Sequence, residues 1–425
     1  MTLLTALLAL SPAAQAFCGT YVSSAGADTY NTSSQVVIGR VGNRTTLTMT
    51  SDIRGPSVPT AMVVPVPPTL AEGDFVEVDP ELVERIGSYS APRLVAYDCD
   101  TLASTASVDP GLGCSCSEII KDAGEELLSE IGDFALDAVE VKANFLIGQQ
   151  EVYLLDATAS GALVTWLEDA GFQVPDATAD LLDEYVQAGS HFLVADMTLD
   201  LGGNDAAEED YVTPLQFSYD SPNLTLPIKL GTANSTGEQH LTVYVIGDGQ
   251  ARITNYEEKG HDGGECMPRE DDFPIFYEEW VNEQLDGGDE ATWITEYAWA
   301  PVHCDPCTDY PLTQDEVEAF GYTDDAEGAF FTRMHMRFRP AQAKDDLQIQ
   351  LLGGDNQQVR FIEYLEELES DFPVCFEGFA KNPGSCDDVQ TTTTARVNAT
   401  SRGRTTGGLL ALLGLGLLVR RKRTG

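Results

Sequence analysis

Positive charge is what this chain has least of. Its 425 residues carry 24 Lys and Arg against 69 Asp and Glu, a formal net charge of −45, with five histidines. The shortage is sharper than the total implies. Seven of the cations (Arg396, Arg402, Arg404, Arg420, Arg421, Lys422 and Arg423) lie beyond residue 390, where no carboxylate occurs. Setting those seven aside leaves 17 cations against the same 69 carboxylates, or −52 over residues 1–390. Such a body cannot neutralise a phosphate backbone, which argues against nucleic acid as a partner. Nor is it drawn to an anionic membrane surface. Acidity of this degree reads first as a solvated surface suited to saline surroundings, where counterions screen self-repulsion. The sharper reading is calcium, because clustered carboxylates suit that ion. Asp286-Gly287-Gly288-Asp289-Glu290 and Asp324-Asp325-Ala326-Glu327 are the candidates, although neither has the spacing of a helix-loop-helix calcium loop.

Long apolar runs are scarce too, and the two that stand out lie at the ends. Leu3 to Leu10 is apolar but too short to span a bilayer. Ser11-Pro12 breaks it, and Ala14-Gln15-Ala16 supplies the small residues that signal peptidase accepts. The expectation is a signal peptide over residues 1–16, with cleavage between Ala16 and Phe17, although no Lys or Arg precedes the apolar run. Cys18 invites a lipid-modified start, but Phe17 stands where a small residue is wanted. At the other end, Gly407 to Val419 falls short of the roughly 20 residues that cross hydrocarbon comfortably. Arg420-Arg421-Lys422-Arg423 follows, and would hold that end in the cytoplasm with the body outside. Gly407-Gly408, an apolar run and a basic cluster together resemble the GlyGly-type sorting tails that rhombosortase-like intramembrane proteases process in bacteria. The resemblance implies removal of residues 407–425 and transfer to the cell surface. The plainer alternative is a permanent transmembrane anchor.

Catalytic signatures are missing as well. There is no His-Glu-x-x-His helix, no Gly-x-Ser-x-Gly elbow and no phosphate-cradling loop. Two carboxylates could form a glycosidase-like pair, but the sequence nominates none. His191, His240 and His335 sit in apparent strands, where a structural role is the plain reading.

Cysteine, by contrast, is present at nine positions, all of which survive signal cleavage. In an exported chain disulfides are the default, and an odd count leaves at least one thiol unpaired or intermolecular. Cys114 and Cys116 are too close for an easy mutual bridge, so Cys99 or Cys18 are alternative partners. Cys375 and Cys386 form a plausible local loop, and Cys266 completes the disulfide candidates. His303-Cys304-Asp305-Pro306-Cys307 supports three readings: a small disulfide, half of a zinc site with His303, or a redox pair. A low-pKa redox thiol wants a helix N-terminus beside it. The helix announced by the Thr313 and Glu316 capping box starts six residues after Cys307, which weakens that reading. For zinc, His261 and Cys266 could contribute, but nothing in the sequence brings them to Cys304.

Along the chain, strands and helices alternate. Val36-Val37-Ile38 and Leu47-Thr48-Met49 flank Gly42-Asn43 as a hairpin, and Leu241–Ile246 and Gln250–Tyr256 bracket Gly247-Asp248-Gly249 as a second. Ala61 to Pro67 is a β run whose prolines predict an edge or terminal strand. Asp79 and Pro80 open a helix over 80–86. Strands follow at 139–145 and 151–155, and a strand of alternating character covers 191–198. Helices occupy 160–170 and 178–188, the first with Leu163, Val164, Trp166 and Leu167 on one stripe and Trp166 in the core. Residues 99–135 read as a Cys-rich insertion ending in an acidic amphipathic helix. Residues 391–406 are a Thr/Ser-rich flexible linker. The predicted fold class is α+β, a mainly antiparallel sheet with packed helices in a disulfide-containing ectodomain over 17–390.

Several ordered blocks then carry a resemblance. Phe17-Cys18-Gly19 with Tyr21-Val22, Ala61 to Pro67, Ala91-Pro92-Arg93-Leu94-Val95 and Leu163-Val164-Thr165-Trp166-Leu167 come first. Pro214-Leu215-Gln216, Leu226 to Gly231, Glu296-Tyr297-Ala298-Trp299 and Cys304-Asp305-Pro306-Cys307 follow. From about Phe17 to the Leu347 region the chain resembles the bacterial domain of unknown function 2330. The resemblance implies an exported bacterial protein and brings no catalytic residues with it. The leading expectation is therefore a non-enzymatic structural or interaction module of the cell envelope. An extracytoplasmic thiol-redox or metal-binding protein using Cys304 and Cys307 is one alternative; calcium- or salt-dependent surface adhesion is the other.

Overall fold

The computed structural model describes residues 19–24, 30–54, 58–96, 138–148, 150–197, 214–234, 237–260, 265–268, 272–285, 288–303 and 310–364. The described residues fall into two compact units, one drawn from within 1–91, 115–261 and 281–358 and the other from within 92–114, 262–280 and 359–425. In chain order the elements begin β1 (Thr20–Ser23), β2 (Tyr30–Val41), β3 (Arg44–Arg54), β4 (Thr60–Val66), β5 (Phe75–Glu77), α1 (Pro80–Ser90) and β6 (Arg93–Ala96). There follow β7 (Val139–Ile147), β8 (Gln150–Ala157), α2 (Ala162–Asp169), α3 (Asp176–Gln187), β9 (His191–Asp196), β10 (Leu215–Asp220) and β11 (Leu224–Leu226). Next come β12 (Gln239–Gly247), β13 (Gln250–Ile253), β14 (Glu257–Glu258), β15 (Glu265–Pro268), α4 (Phe273–Gln284) and β16 (Thr292–Trp299). The last are α5 (Gln314–Ala319), β17 (Phe330–Phe338), β18 (Leu347–Leu352), β19 (Gln357–Gln358) and β20 (Arg360–Tyr364).

The larger unit is layered. A five-stranded sheet runs β1-β4-β9-β8-β7, and a nine-stranded sheet runs β14-β16-β17-β12-β2-β3-β10-β5 with β19 beside β16. The five-stranded sheet is antiparallel throughout. In the larger sheet the central β12–β2 pair and the β14–β16 pair are parallel. Met62, Val64, Leu154 and Leu193 of one sheet face Val36, Leu47, Val243 and Met336 of the other across a shared apolar core. A small β11-β18-β13 sheet adds Leu226, Ile253 and Ile349 to that core. On the outer face of the five-stranded sheet, α2 and α3 bury Leu163, Trp166, Leu167 and Leu182. On the outer face of the nine-stranded sheet, α1 and α5 bury Val83, Ile86, Tyr89 and Val317. The unit is thus helix, sheet, sheet, helix: sheet-rich, largely antiparallel, with helices packed outside.

Local signals formed what they announce. Asp79 accepts from the Glu81 amide at 3.0 Å with Pro80 in the first turn of α1. Thr313 caps α5 in a reciprocal box with Glu316, at 2.7 Å and 3.2 Å. Gly42 turns β2 into β3 at φ +54. Trp166 is in the core, edge-on to Tyr153.

Two expectations are corrected. β4 lies between β1 and β9 rather than at an edge. Its Pro65 is tolerated because β1 pairs only as far as Val63, so beyond that point β4 has β9 alone as a neighbour. The glycines at 247 and 249 do not make a hairpin either. β12 pairs with β17 and β2, whereas β13 leaves for β18. A Cβ on Gly249 would stand 2.6 Å from the Leu352 carbonyl oxygen, and one on Gly247 would stand 2.6 Å from Leu351. These glycines admit the close passage of β18.

In the smaller unit, β6, β20 and β15 form a parallel three-stranded sheet. Phe361 of β20 is buried within reach of Phe273, Phe276, Tyr277 and Trp280 of α4, ring to ring at 5.3 to 6.0 Å. Among the described residues no helix is long and apolar enough to cross a membrane. The terminal segments 1–16 and 391–425 and the insertion 99–135 lie outside the described residues.

Candidate functional site

The most concentrated polar chemistry among the described residues sits on the helix-covered face of the nine-stranded sheet. Strand β17 reads Phe-Phe-Thr-Arg-Met-His-Met-Arg-Phe, and period-two alternation sends Met334, Met336 and Phe338 into the inter-sheet core. Arg333, His335 and Arg337 therefore share the opposite face. Register places His240 of β12 directly across from Arg337, with Thr242 across from His335. On the other side, Ile294 of β16 faces His335 and Tyr297 faces Arg333. The ladder slips between Thr295 and Tyr297. Glu296 is the extra residue of this bulge, and a bulge re-aims the side chain it carries.

Here it aims a carboxylate into the interior. Glu296 is fully buried, and Arg333 Nε donates to its Oε2 at 2.5 Å. His335 Nδ1 meets Oε1 at 2.7 Å, and His335 Nε2 meets His240 Nδ1 at 3.0 Å. Arg333 also donates to the Gly87 carbonyl of α1 at 3.0 Å and lies over the Tyr244 ring at 5.6 Å. Tyr244 in turn donates to Gln35 at 3.0 Å. Arg337 pairs through Nη2 with Glu238.

Direction follows from the chemistry of the groups. Burial, followed by the neighbouring His335 and Arg337, lowers the His240 pKa to about 3, so its ring is neutral at physiological pH. Glu296 has its charge met by Arg333. A carboxylate only accepts, so the hydrogen of its bond to His335 is carried by Nδ1. The 3.0 Å contact between His335 Nε2 and His240 Nδ1 then shares one hydrogen between two ring nitrogens. The chain Glu296–His335–His240 thus ties a half-buried histidine to a buried carboxylate through one intervening imidazole.

The candidates named from the sequence lie elsewhere. His303 is exposed and bonds Glu327 at 2.8 Å. Cys304 and Cys307 lie outside the described residues, as do Cys18, Cys99, Cys114, Cys116, Cys375 and Cys386, while Cys266 is placed in β15 by its backbone alone. Asp325 caps a 3-10 turn by accepting from the Glu327 amide at 3.1 Å, so the 324–327 cluster has a local structural use. In the 286–290 cluster, the Gly288 carbonyl accepts from Arg339 and Gln342. Among the described residues no group of three or more His, Cys, Asp or Glu is placed to hold a metal ion. The sequence did place His240 and His335 in strands. The one signal that could have pointed to this face was the alternation in β17, which sets three basic or imidazole side chains on one side of a strand in an acidic chain.

No curated protein and no solved structure matches this chain. The family model described as "uncharacterized protein conserved in bacteria", domain of unknown function 2330, matches residues 12–350, a span that holds the five-stranded sheet, all of the nine-stranded sheet but β19, and every residue of the relay. The chain belongs to that family.

Proposed function

We propose that this is an exported bacterial envelope protein whose body is a non-enzymatic binding module, held at least transiently by its C-terminal tail. Its ends support the location: a signal-like run closed by Ala14-Gln15-Ala16, and Gly407-Gly408 followed by an apolar run and four cations. The observation that carries the binding role is the Glu296–His335–His240 chain. It is built on central strands, its donors and acceptors are pre-oriented, and among the described residues neither imidazole bonds a hydroxyl or thiol nucleophile. Signal peptidase is the processing partner this reading requires, and a rhombosortase-like protease is the second where the tail is removed.

Intact-mass measurement on protein recovered from separated cytosol, membrane and surface fractions tests it. The expected product lacks residues 1–16, is found outside the cytosol, and either retains or has lost the segment after Gly407-Gly408. Unprocessed chain recovered from cytosol with every thiol reduced would overturn the reading. The same masses count bridged thiols, and a Cys304–Cys307 bridge resistant to mild reductant would dispose of the thiol-redox alternative. A melting temperature unmoved by chelation would dispose of calcium-dependent adhesion.

A further inference from the structure

Among the described residues the five-stranded sheet has one long edge without a neighbour. β7 pairs with β8 alone and ends the strand order of its sheet. Its first half is guarded. The ladder slips at Lys142, whose ammonium pairs with Glu140 at 2.9 Å and Asp156 at 3.4 Å. A bulge carrying a lysine blunts an edge. From Ala143 to Ile147 the edge runs on without a slip.

That side of the unit is apolar and rimmed with acid. Of the six large apolar side chains exposed among the described residues, three lie here: Leu146 at 70%, Val141 at 42% and Val76 of β5 at 54%. β5 meets β7 through Phe75 and Phe145, ring to ring at 4.9 Å. Glu77 of β5 and Glu72 of the 3-10 turn before it are exposed and pair with no cation among the described residues. The nearby cations are taken, Lys142 as above and Arg44 by Asp74 and Asp220. The edge therefore fits an extended segment that is basic and free of carboxylates and proline.

The chain holds such a segment itself. Residues 394–402 read Thr-Ala-Arg-Val-Asn-Ala-Thr-Ser-Arg, with no Pro, Asp or Glu. In a strand, alternation sets Arg396 and Arg402 on one face and Ala395, Val397 and Ala399 on the other. Ala143 and Phe145 of β7 pack on the inter-sheet core, toward β5, and Leu146 takes the opposite face. A strand added to this edge matches both faces at once. The chain from Tyr364, the last described residue, to Thr394 extends to about 100 Å, beyond the width of a compact body of this length.

We propose that residues 394–402 add as a strand to the edge of β7 in the same chain, Arg396 and Arg402 toward Glu72 and Glu77 and Val397 beside Leu146. This goes beyond the binding-module reading. It is tested apart from that reading, because purified full-length protein suffices wherever the protein resides in the cell.

Hydrogen exchange read by mass spectrometry on the full chain, in detergent at low salt, is the test. The amides of 394–402 exchange at least tenfold more slowly than in a free peptide of that sequence. Arg396→Glu with Arg402→Glu returns them to the free rate and speeds the 143–147 amides with them. Leu146→Lys, at a side chain already in water, does the same from the other side at an unchanged melting temperature. If that variant fails to fold, the 143–147 amides of the arginine variant report the edge in its place. Free-peptide rates in the wild-type chain overturn the proposal. So does protection that survives the arginine changes, as shielding by detergent around the apolar tail would. Protection that rises with protein concentration also overturns it, placing the strand on a second copy.

Discussion

On one side of β17, Met334, Met336 and Phe338 are buried against a second sheet; on the other, Arg333, His335 and Arg337 join a buried carboxylate and a second histidine. One strand thus carries two kinds of interior. The apolar face is non-directional: any side chain of suitable volume lowers the free energy by leaving water. The polar face is directional, since each group there is tolerated because a named partner satisfies it. Loss of one apolar member leaves a hole, whereas loss of one polar member strands a charge.

The largest expected effect is therefore Glu296→Gln. It keeps the shape of the side chain but removes the negative charge that Arg333 meets, and the one oxygen left can accept from Arg333 or from His335 but not from both. Breaking a buried ion pair from one side costs about 3–5 kcal/mol. Denaturant unfolding at neutral pH should show a loss in that range with an unchanged m-value. A loss below about 1 kcal/mol, the worth of a surface pair, would mean that the site is wetter than its burial implies.

Met336→Ala breaks the same strand from the other face. Met336 is fully buried between Leu241 and Trp293, its cross-strand neighbours. Truncation should cost about 3 kcal/mol through lost transfer and a residual cavity. The loss should be the same at pH 5 and pH 7, since nothing on that face titrates. A pH-dependent loss would show that the two faces communicate through the strand.

The same contrast governs how much could be read from the chain. Elements fixed by neighbours in sequence were legible: Asp79 and Pro80 opening α1, the Thr313–Glu316 box opening α5, the Leu163–Leu167 stripe of α2. Their causes lie within one turn of helix. The Gly247–Gly249 turn was misread because glycine answers two needs, a left-handed turn or a close approach, and the approaching Leu352 is a hundred residues downstream. The relay was invisible for a related reason. His335 is 39 residues from Glu296 and 95 from His240, and the bulge that turns Glu296 inward exists only once β16 and β17 are paired. The sequence put His335 in an apparent strand, but nothing near it in the chain said what would answer it.

The smallest expected effect distinguishes the faces by pH. His240 has a folded pKa of about 3 against an ordinary 6.5. Below 6.5 the unfolded chain takes up a proton that the folded chain refuses. The contribution of His240 to stability is therefore present above pH 6.5 and is lost as pH falls toward 3. Between pH 7 and pH 5 this single group should remove about 2 kcal/mol. His240→Gln keeps a polar side chain that does not titrate, so the stability of that variant should fall less steeply over the same interval, by about that amount. The carboxylates that titrate near pH 4 are common to both proteins and cancel in the difference. Parallel pH profiles for the two proteins would mean that His240 is protonated with equal ease folded and unfolded.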